Sequence, residues 1–356
     1  MAKERNYLFD NLKAVLIFCV VFAHFLRAGG FMGAGSLARI FYILCFSFMM
    51  EGFFFTSGFF SKNVDKCHAK AVETLVVPYF VFIPLLYLER LWLFGGAHIN
   101  FLRPSHAMWF LIAMFFYRFG IKYFAKIPFI LPLSAILFLA AGTMPFLGPT
   151  LALGRSCSFL VFFMLGYFCQ WEHIQKIRSI PKPIMIIVGA VLVALSAVCG
   201  CFRHFGTGVL MMKNCYHAIH LSIPEGLILR LAVGIAALAS IAVLINLLPD
   251  RKLPAKGGLI SQIGQNTMTV FLLHVAVRYL VKWYTKQDFS IIGAGEIIHS
   301  GGILYCLFML ILALIVVYIF SRPIVAKVYD TVMHYLYWPF GTAYGWIKER
   351  IRGTNH

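Results

Sequence analysis

The sequence predicts an all-α polytopic membrane protein of about ten transmembrane helices, and three observations predict it. Hydrophobic residues make up 61% of the 356 and charged residues 12%, with a mean hydropathy of +0.84. A soluble domain carries about a quarter of its residues as charged side chains, and no soluble core of this length hides so much apolar surface. Apolar runs of about 20 residues, the length that crosses a bilayer, recur between breaks of charge, Pro or Gly. The basic residues then concentrate in alternate breaks, as the positive-inside rule requires.

The runs fall, in order, near 12–28, 37–59, 72–95, 107–125, 127–147, 156–173, 183–202, 225–248, 259–282 and 302–321. The first follows Asp10 and Lys13 and stops at Gly29-Gly30. The second lies between Ser36 and Lys62, and the third between Lys70 and Gly95-Gly96. The fourth and fifth are divided only at Lys126 and Pro128. Arg155 precedes the sixth, Pro181-Lys182 the seventh, and Pro224-Glu225 the eighth. The ninth opens after Gly258 and closes at Lys282, and the tenth lies between Gly302 and Arg322. The first run lacks a small-residue cleavage site, so it reads as a retained helix and not as a signal peptide.

With the N-terminus cytoplasmic, the inside segments hold Lys3, Arg5 and Lys13; Lys62, Lys66 and Lys70; Arg118, Lys122 and Lys126; Lys176, Arg178 and Lys182; and Arg251, Lys252 and Lys256. The tail adds Arg322, Lys327, Lys348, Arg350 and Arg352. These are 20 of the 31 Lys and Arg residues, and they place both termini in the cytoplasm. Topogenic lysines and anionic headgroups account for the net charge of +18, so no nucleic-acid partner is required; the partners implied are membrane lipids. The nine cysteines mostly fall inside the runs, while Cys201 and Cys215 flank the longest outer loop, where they could pair. No CxxC, HExxH or GxxxxGK[ST] occurs, so zinc, metalloprotease and P-loop readings lack support and no metal site is expected. No internal repeat or appended soluble domain is visible, and residues 1–356 read as one membrane-embedded domain.

Ionisable residues inside such runs are costly in lipid and therefore mark functional sites. His24 ends the run that starts at Asp10 and Lys13. Eleven residues separate Lys13 from His24, which brings both to one helix face roughly 16 Å apart, with Asp10 on the same stripe. Glu51 interrupts the second run at a depth that makes Lys13 a candidate partner. His274, about 15 residues into the ninth run, reaches about the depth of His24. Arg27, Arg155, Glu225 and Arg230 gather toward the outer ends, with Trp109 near them in depth. Each has a plainer reading: His24 and His274 as hydrogen-bonded packing residues, Glu51 as the partner of a buried cation, Trp109 as part of the aromatic belt, and Arg155 as a snorkelling helix anchor.

These residues also carry a resemblance. Asp10-Asn11-Leu12-Lys13 followed by His24, Glu51-Gly52-Phe53-Phe54-Phe55-Thr56-Ser57-Gly58, Leu75-Val76-Val77-Pro78-Tyr79, Met108-Trp109-Phe110-Leu111, and Gly264-Gln265-Asn266-Thr267 ending in His274 resemble the acyltransferase-3 family of integral membrane acyltransferases, and within it the fucose 4-O-acetylase-like branch. The similarity runs from about residue 5 to 322, which leaves a basic cytoplasmic tail at 323–356. The resemblance implies an O-acyltransferase of the bacterial cytoplasmic membrane that moves acetyl from cytoplasmic acetyl-CoA, a donor substrate and not a bound cofactor, to a hydroxyl of a cell-envelope or exported glycan. The family's histidine falls on His24 and its acidic residue on Glu51, a Glu where Asp is commoner. Its first-helix arginine is here Lys13, which keeps the charge but loses the bidentate fork. The arginine pair of its second inside loop is replaced by Lys62, Lys66 and Lys70.

The chemistry implied is general-base catalysis, with neutral imidazole taking a proton from the acceptor hydroxyl as it attacks the thioester; a transient acyl-enzyme through His24 is the second route. Lys13 and Asp10, with Lys66 and Lys70, would serve the donor at the cytoplasmic mouth, and Glu51 would stand with Lys13. Trp109, Arg155, His274 and Arg27 would line the acceptor side, with Trp109 suited to stacking on a sugar face. Two other classes stay open: a transporter or flippase of an envelope glycan precursor, and a haem or quinone protein with His24 and His274 as axial ligands.

Overall fold

The structure is a computed structural model that describes residues 7–104, 106–148, 150–203, 205–254, 258–285 and 301–353, with side chains described as far as 338. Among these residues every regular element is helical. Of the inner cations read from the sequence, Lys3, Arg5 and Lys256 lie outside the described residues, as do the side chains of Lys348, Arg350 and Arg352.

Helix α1 (Tyr7–Ala28) runs through the middle of the bundle. It is apolar on all sides, and Leu8, Leu12, Leu16, Ile17, Val20, Val21, Phe25 and Leu26 are fully buried, as expected of a helix surrounded by others. Packed against it are α2 (Leu37–Phe46), α3 (Met49–Phe59), α13 (Leu259–Gln265), α14 (Thr267–Tyr284) and α15 (Ile303–Phe320). The remaining elements are α4 (Val64–Ala71), α5 (Val77–Phe94), α6 (Trp109–Phe124), α7 (Ile130–Ala140), α8 (Leu153–Phe168), α9 (Trp171–Ser179), α10 (Lys182–Cys201), the short α11 (Gly208–Met211), α12 (Ile223–Leu247) and the C-terminal α16 (Pro323–Gly353). On α10 and α15 the large apolar side chains stay exposed, among them Ile186, Ile187, Ile311 and Leu314, which is the surface a lipid-facing helix presents.

Among the described residues, eight helical stretches are long and apolar enough to cross a membrane: Tyr7–Ala28, Leu37–Phe59, Val64–Phe94, His106–Phe124, Thr150–Phe168, Lys182–Cys201, Ile223–Leu247 and Ile303–Phe320. All ten expected runs are helical, but three of them differ from a plain span. The run expected at 127–147 forms a helix only over Ile130–Thr143, about 21 Å at the α-helical rise and short of a hydrocarbon layer of about 30 Å. The run expected at 259–282 breaks at Asn266, whose side-chain amide donates to the Ser321 carbonyl at 2.7 Å. The second run, expected whole at 37–59, also breaks. Ser47 donates its hydroxyl to the Leu44 carbonyl at 2.8 Å and Phe48 turns out of helical geometry, so α3 starts afresh at Met49. A π-turn at Val72–Val76 absorbs Pro78, which has no N–H for the regular ladder.

Three glycines, two of them (Gly58 and Gly264) in the sequence motifs, are contact points of backbone on backbone. A Cβ on Gly58 would collide with the Phe163 carbonyl, and one on Gly166 with the Phe55 carbonyl, so α3 and α8 cross at van der Waals distance. Gly264 does the same for α13 against the Asp10 carbonyl of α1.

Side-chain bonds identify the two ends of the bundle. Gln265 donates to Asp10 at 3.3 Å, and Asn266 reaches Ser321, so the starts of α1 and α14 and the end of α15 share one end. Tyr305 donates to the Leu26 carbonyl at 2.6 Å at the other end. The first is the lysine-rich end that the charge pattern assigns to the cytoplasm. The possible Cys201–Cys215 bridge does not form: all nine cysteines are free thiols.

Candidate active site

At the outer end a cavity of about 530 Å³ opens between α1, the α2–α3 break, α6, α8, α14 and the loops before α6 and after α11. His24 lines it, four residues from the end of α1, beside Phe46, Met49 and Met50 of the helix break. The break thus lies at the site: Phe46, Met49 and Met50 line the cavity with His24, and the Phe46 ring centroid lies 6.2 Å from that of the imidazole.

His24 and His274 meet. Nδ1 of His24 lies 2.8 Å from Nε2 of His274, and Nδ1 of His274 lies 3.0 Å from the carbonyl oxygen of Val270, one turn earlier on α14. A carbonyl can only accept, so Nδ1 of His274 bears a proton and its Nε2 does not. Nε2 of His274 then accepts from Nδ1–H of His24, which leaves Nε2 of His24 as the basic atom of the ring that lines the cavity. His274 is fully buried behind it and absent from the cavity wall. The 2.8 Å separation is too short for the two rings to hold one iron from opposite sides, which places the ligating nitrogens about 4 Å apart. The axial-ligand expectation is therefore corrected.

The remaining acceptor-side expectations are brought to this cavity, with one correction. Arg27, Trp109 and Arg155 all line it. Trp109, however, does not offer a free face for stacking on a sugar. The Arg155 guanidinium lies 4.4 Å from its ring centroid, and Phe54 and Phe159 pack against it, leaving it 8% exposed. Arg155 also donates to the Met211 carbonyl at 3.1 Å, which ties the end of α11 to α8. Arg27 reaches the Tyr42 hydroxyl at 3.4 Å. Sequence reasoning missed Arg103, His106, Lys213 and Arg278, which also line the cavity. The signal for Arg278 was present, four residues after His274 and hence on the same helical face; the other three come from loops, where no periodicity exists to read.

The donor-side expectations are not brought to the cavity. Lys13 pairs with Asp10 at 3.0 Å at the inner end, and Gln265 donates to the same carboxylate. Lys13 is thus the partner of Asp10 and not of Glu51. Both carboxylate oxygens of Glu51 are buried without a hydrogen-bond partner in the first turn of α3, one residue after Met50 of the cavity wall. Between Lys13 and His24 the stripe is closed by Leu16, Ile17 and Val20, all fully buried. Lys66 and Lys70 are exposed on α4, apart from the cavity. Lys62 donates to the Tyr167 and Cys169 carbonyls, capping α8. Glu225 caps the start of α12 through Ser222, and Arg230 holds the Phe138 carbonyl at 2.8 Å; both are structural.

The site is thus a hydrogen-bonded histidine pair at the wall of a cavity in a polytopic helical bundle. Comparison with known families matches residues 6–322 to an acyltransferase domain, that of the acyltransferase-3 family. The chain belongs to the acyltransferase-3 family. No curated protein and no solved structure matches it. It is a multi-pass membrane acyltransferase.

Proposed function

We propose that this acyltransferase moves acetyl from cytoplasmic acetyl-CoA to a hydroxyl of a cell-envelope or exported glycan at the bacterial plasma membrane, with His24 as general base. The observation that carries this reading is the hydrogen-bonded chain from the Val270 carbonyl through His274 to His24, which leaves a neutral imidazole nitrogen with its lone pair free. That nitrogen accepts the proton of the acceptor hydroxyl while the oxygen attacks the thioester carbon. The tetrahedral intermediate then collapses, the C–S bond breaks, and the proton passes from His24 to the departing sulfur, giving an ester and free coenzyme A. His274 stabilises the transient imidazolium and holds the ring in register, as a third group does in a catalytic triad. Arg155, on the cavity wall, supplies positive charge for the developing oxyanion.

The donor enters from the lysine-rich end, where Lys13, positioned by Asp10, and Lys66 and Lys70 on α4 meet its phosphates. An extended pantetheine arm then covers the roughly 16 Å from Lys13 to His24, and the closed packing at Leu16, Ile17 and Val20 has to part for it.

The test is the O-acetyl content of the envelope glycan, by NMR, in a deletion strain complemented with wild type or His24→Ala. Wild type restores the acetyl signals and a normally inserted His24→Ala protein does not. Equal restoration by the variant defeats the mechanism. Loss of surface glycan with unchanged acetylation would instead point to a transporter.

A further inference from the structure

Among the described residues, the cavity that holds His24 is lined by five cationic side chains, Arg27, Arg103, Arg155, Lys213 and Arg278, and by no Asp or Glu. None of the five takes part in an ion pair described for the chain. Their partners are neutral: Tyr42 for Arg27, the Met211 carbonyl and Trp109 for Arg155, and His106 and the Tyr279 ring for Arg278. Arg278 is only 7% exposed, and burial, with Arg155 nearby, pushes the Lys213 ammonium below its ordinary range. Five like charges around one space repel one another, an arrangement that persists when something negative occupies the space.

Topology does not explain them. The positive-inside rule concentrates Lys and Arg at the other end of this bundle, and these five stand at the end where it makes them scarce. Nor, on the reading above, do the phosphates of the donor explain them, because that reading gives them Lys13, Lys66 and Lys70 at the inner end, beyond the packing at Leu16, Ile17 and Val20. Four of the five are arginines, whose planar fork fits carboxylate and phosphate oxygens two at a time.

We infer that the acceptor is an acidic glycan, whose carboxylate or phosphate groups are held by Arg27, Arg103, Lys213 and Arg278 while its hydroxyl meets His24. This rests on the acetyl-transfer reading and names the substrate class. Arg103 and Lys213 form the exposed rim and would take the charge first; Arg278, buried beside His106, would take it deeper.

The test uses the full-length protein in nanodiscs of neutral lipid, so that headgroups do not compete. Binding is measured for tetragalacturonate against its methyl ester, and for glucose 6-phosphate against glucose; the two pairs separate a carboxylate from a phosphate. At least one acidic probe should bind about ten-fold tighter than its neutral counterpart. That preference should shrink with added salt and disappear in Arg103→Gln/Lys213→Gln, whose thermal unfolding is checked to be unchanged. No preference in either pair overturns the inference, as does coenzyme A competing for the same site and weakening in the same variant. Acceptor-dependent release of thiol from acetyl-CoA is followed in the same nanodiscs. Release with neutral sugars and no acidic preference sinks the charge inference alone. Acidic binding without thiol release from any acceptor sinks the transferase reading and leaves the anion site standing.

Discussion

Replacing His274 by Phe removes the acceptor for Nδ1–H of His24 while filling much of the same space. In the wild type that bond holds the proton on Nδ1 and keeps Nε2 basic. Without it the buried Nδ1–H has lost its partner, at a cost of about 1–3 kcal/mol, and the tautomer with the proton on Nε2 escapes that cost. Since each 1.4 kcal/mol is ten-fold, the working base form drops by a factor of about 5 to 150, and kcat should fall by the same factor. KM for the acceptor should barely move, because His274 does not touch the cavity. His274→Gln still offers an oxygen to His24 and should recover much of the lost rate. His24→Ala removes the base itself and should cost about 10²- to 10⁴-fold. The assay is steady-state release of coenzyme A thiol from acetyl-CoA by the purified protein with acceptor present. Full kcat in His274→Phe, or a Gln variant as slow as the Phe variant, would refute the tautomer argument.

Other perturbations test the remaining parts. Gly58→Val forces α3 away from the Phe163 carbonyl and should destabilise the protein by about 1–3 kcal/mol, read as a lower midpoint of thermal unfolding in detergent; an unchanged midpoint would mean that the helices do not cross there. Glu51→Gln keeps the shape of a buried group that has no partner, so the fold should hold while turnover falls about ten-fold; wild-type turnover would reduce Glu51 to packing. Lys13→Ala should raise KM for acetyl-CoA by about ten-fold with a smaller change in kcat, and an unaltered KM would remove Lys13 from donor binding. Arg155→Met removes the charge over Trp109 and should lower kcat by about 10²-fold with normal membrane insertion; a rate within two-fold of wild type would show the oxyanion to be stabilised elsewhere.

Part of the candidate site is legible in the sequence. The equal depth expected of His24 and His274 from helical rise alone becomes a 2.8 Å contact. The motif glycines Gly58 and Gly264 prove to be points of backbone contact, which explains why the motifs hold a residue without a side chain there. The pairing of Lys13 was misread because depth along a helix says nothing about azimuth. Glu51 shares a level with Lys13 but sits on another helix, whereas Asp10, three residues away on the same face, is already in reach. Trp109 was misread for a similar reason: the sequence places it at the interface but does not say that Arg155 and Phe159 take its faces.

The division between sequence and tertiary structure follows the range of the forces involved. Spans, orientation and the depth of each polar residue are one-dimensional properties, set by hydropathy, charge bias and a rise of about 1.5 Å per residue, and the sequence determines them without help. Three things needed the fold. The breaks at Ser47 and Asn266 depend on hydrogen bonds that compete with the helix. The tautomer of His24 depends on a partner 250 residues away. The cluster of five cations draws on α1, α8, α14 and two loops, and only packing brings those charges around one cavity.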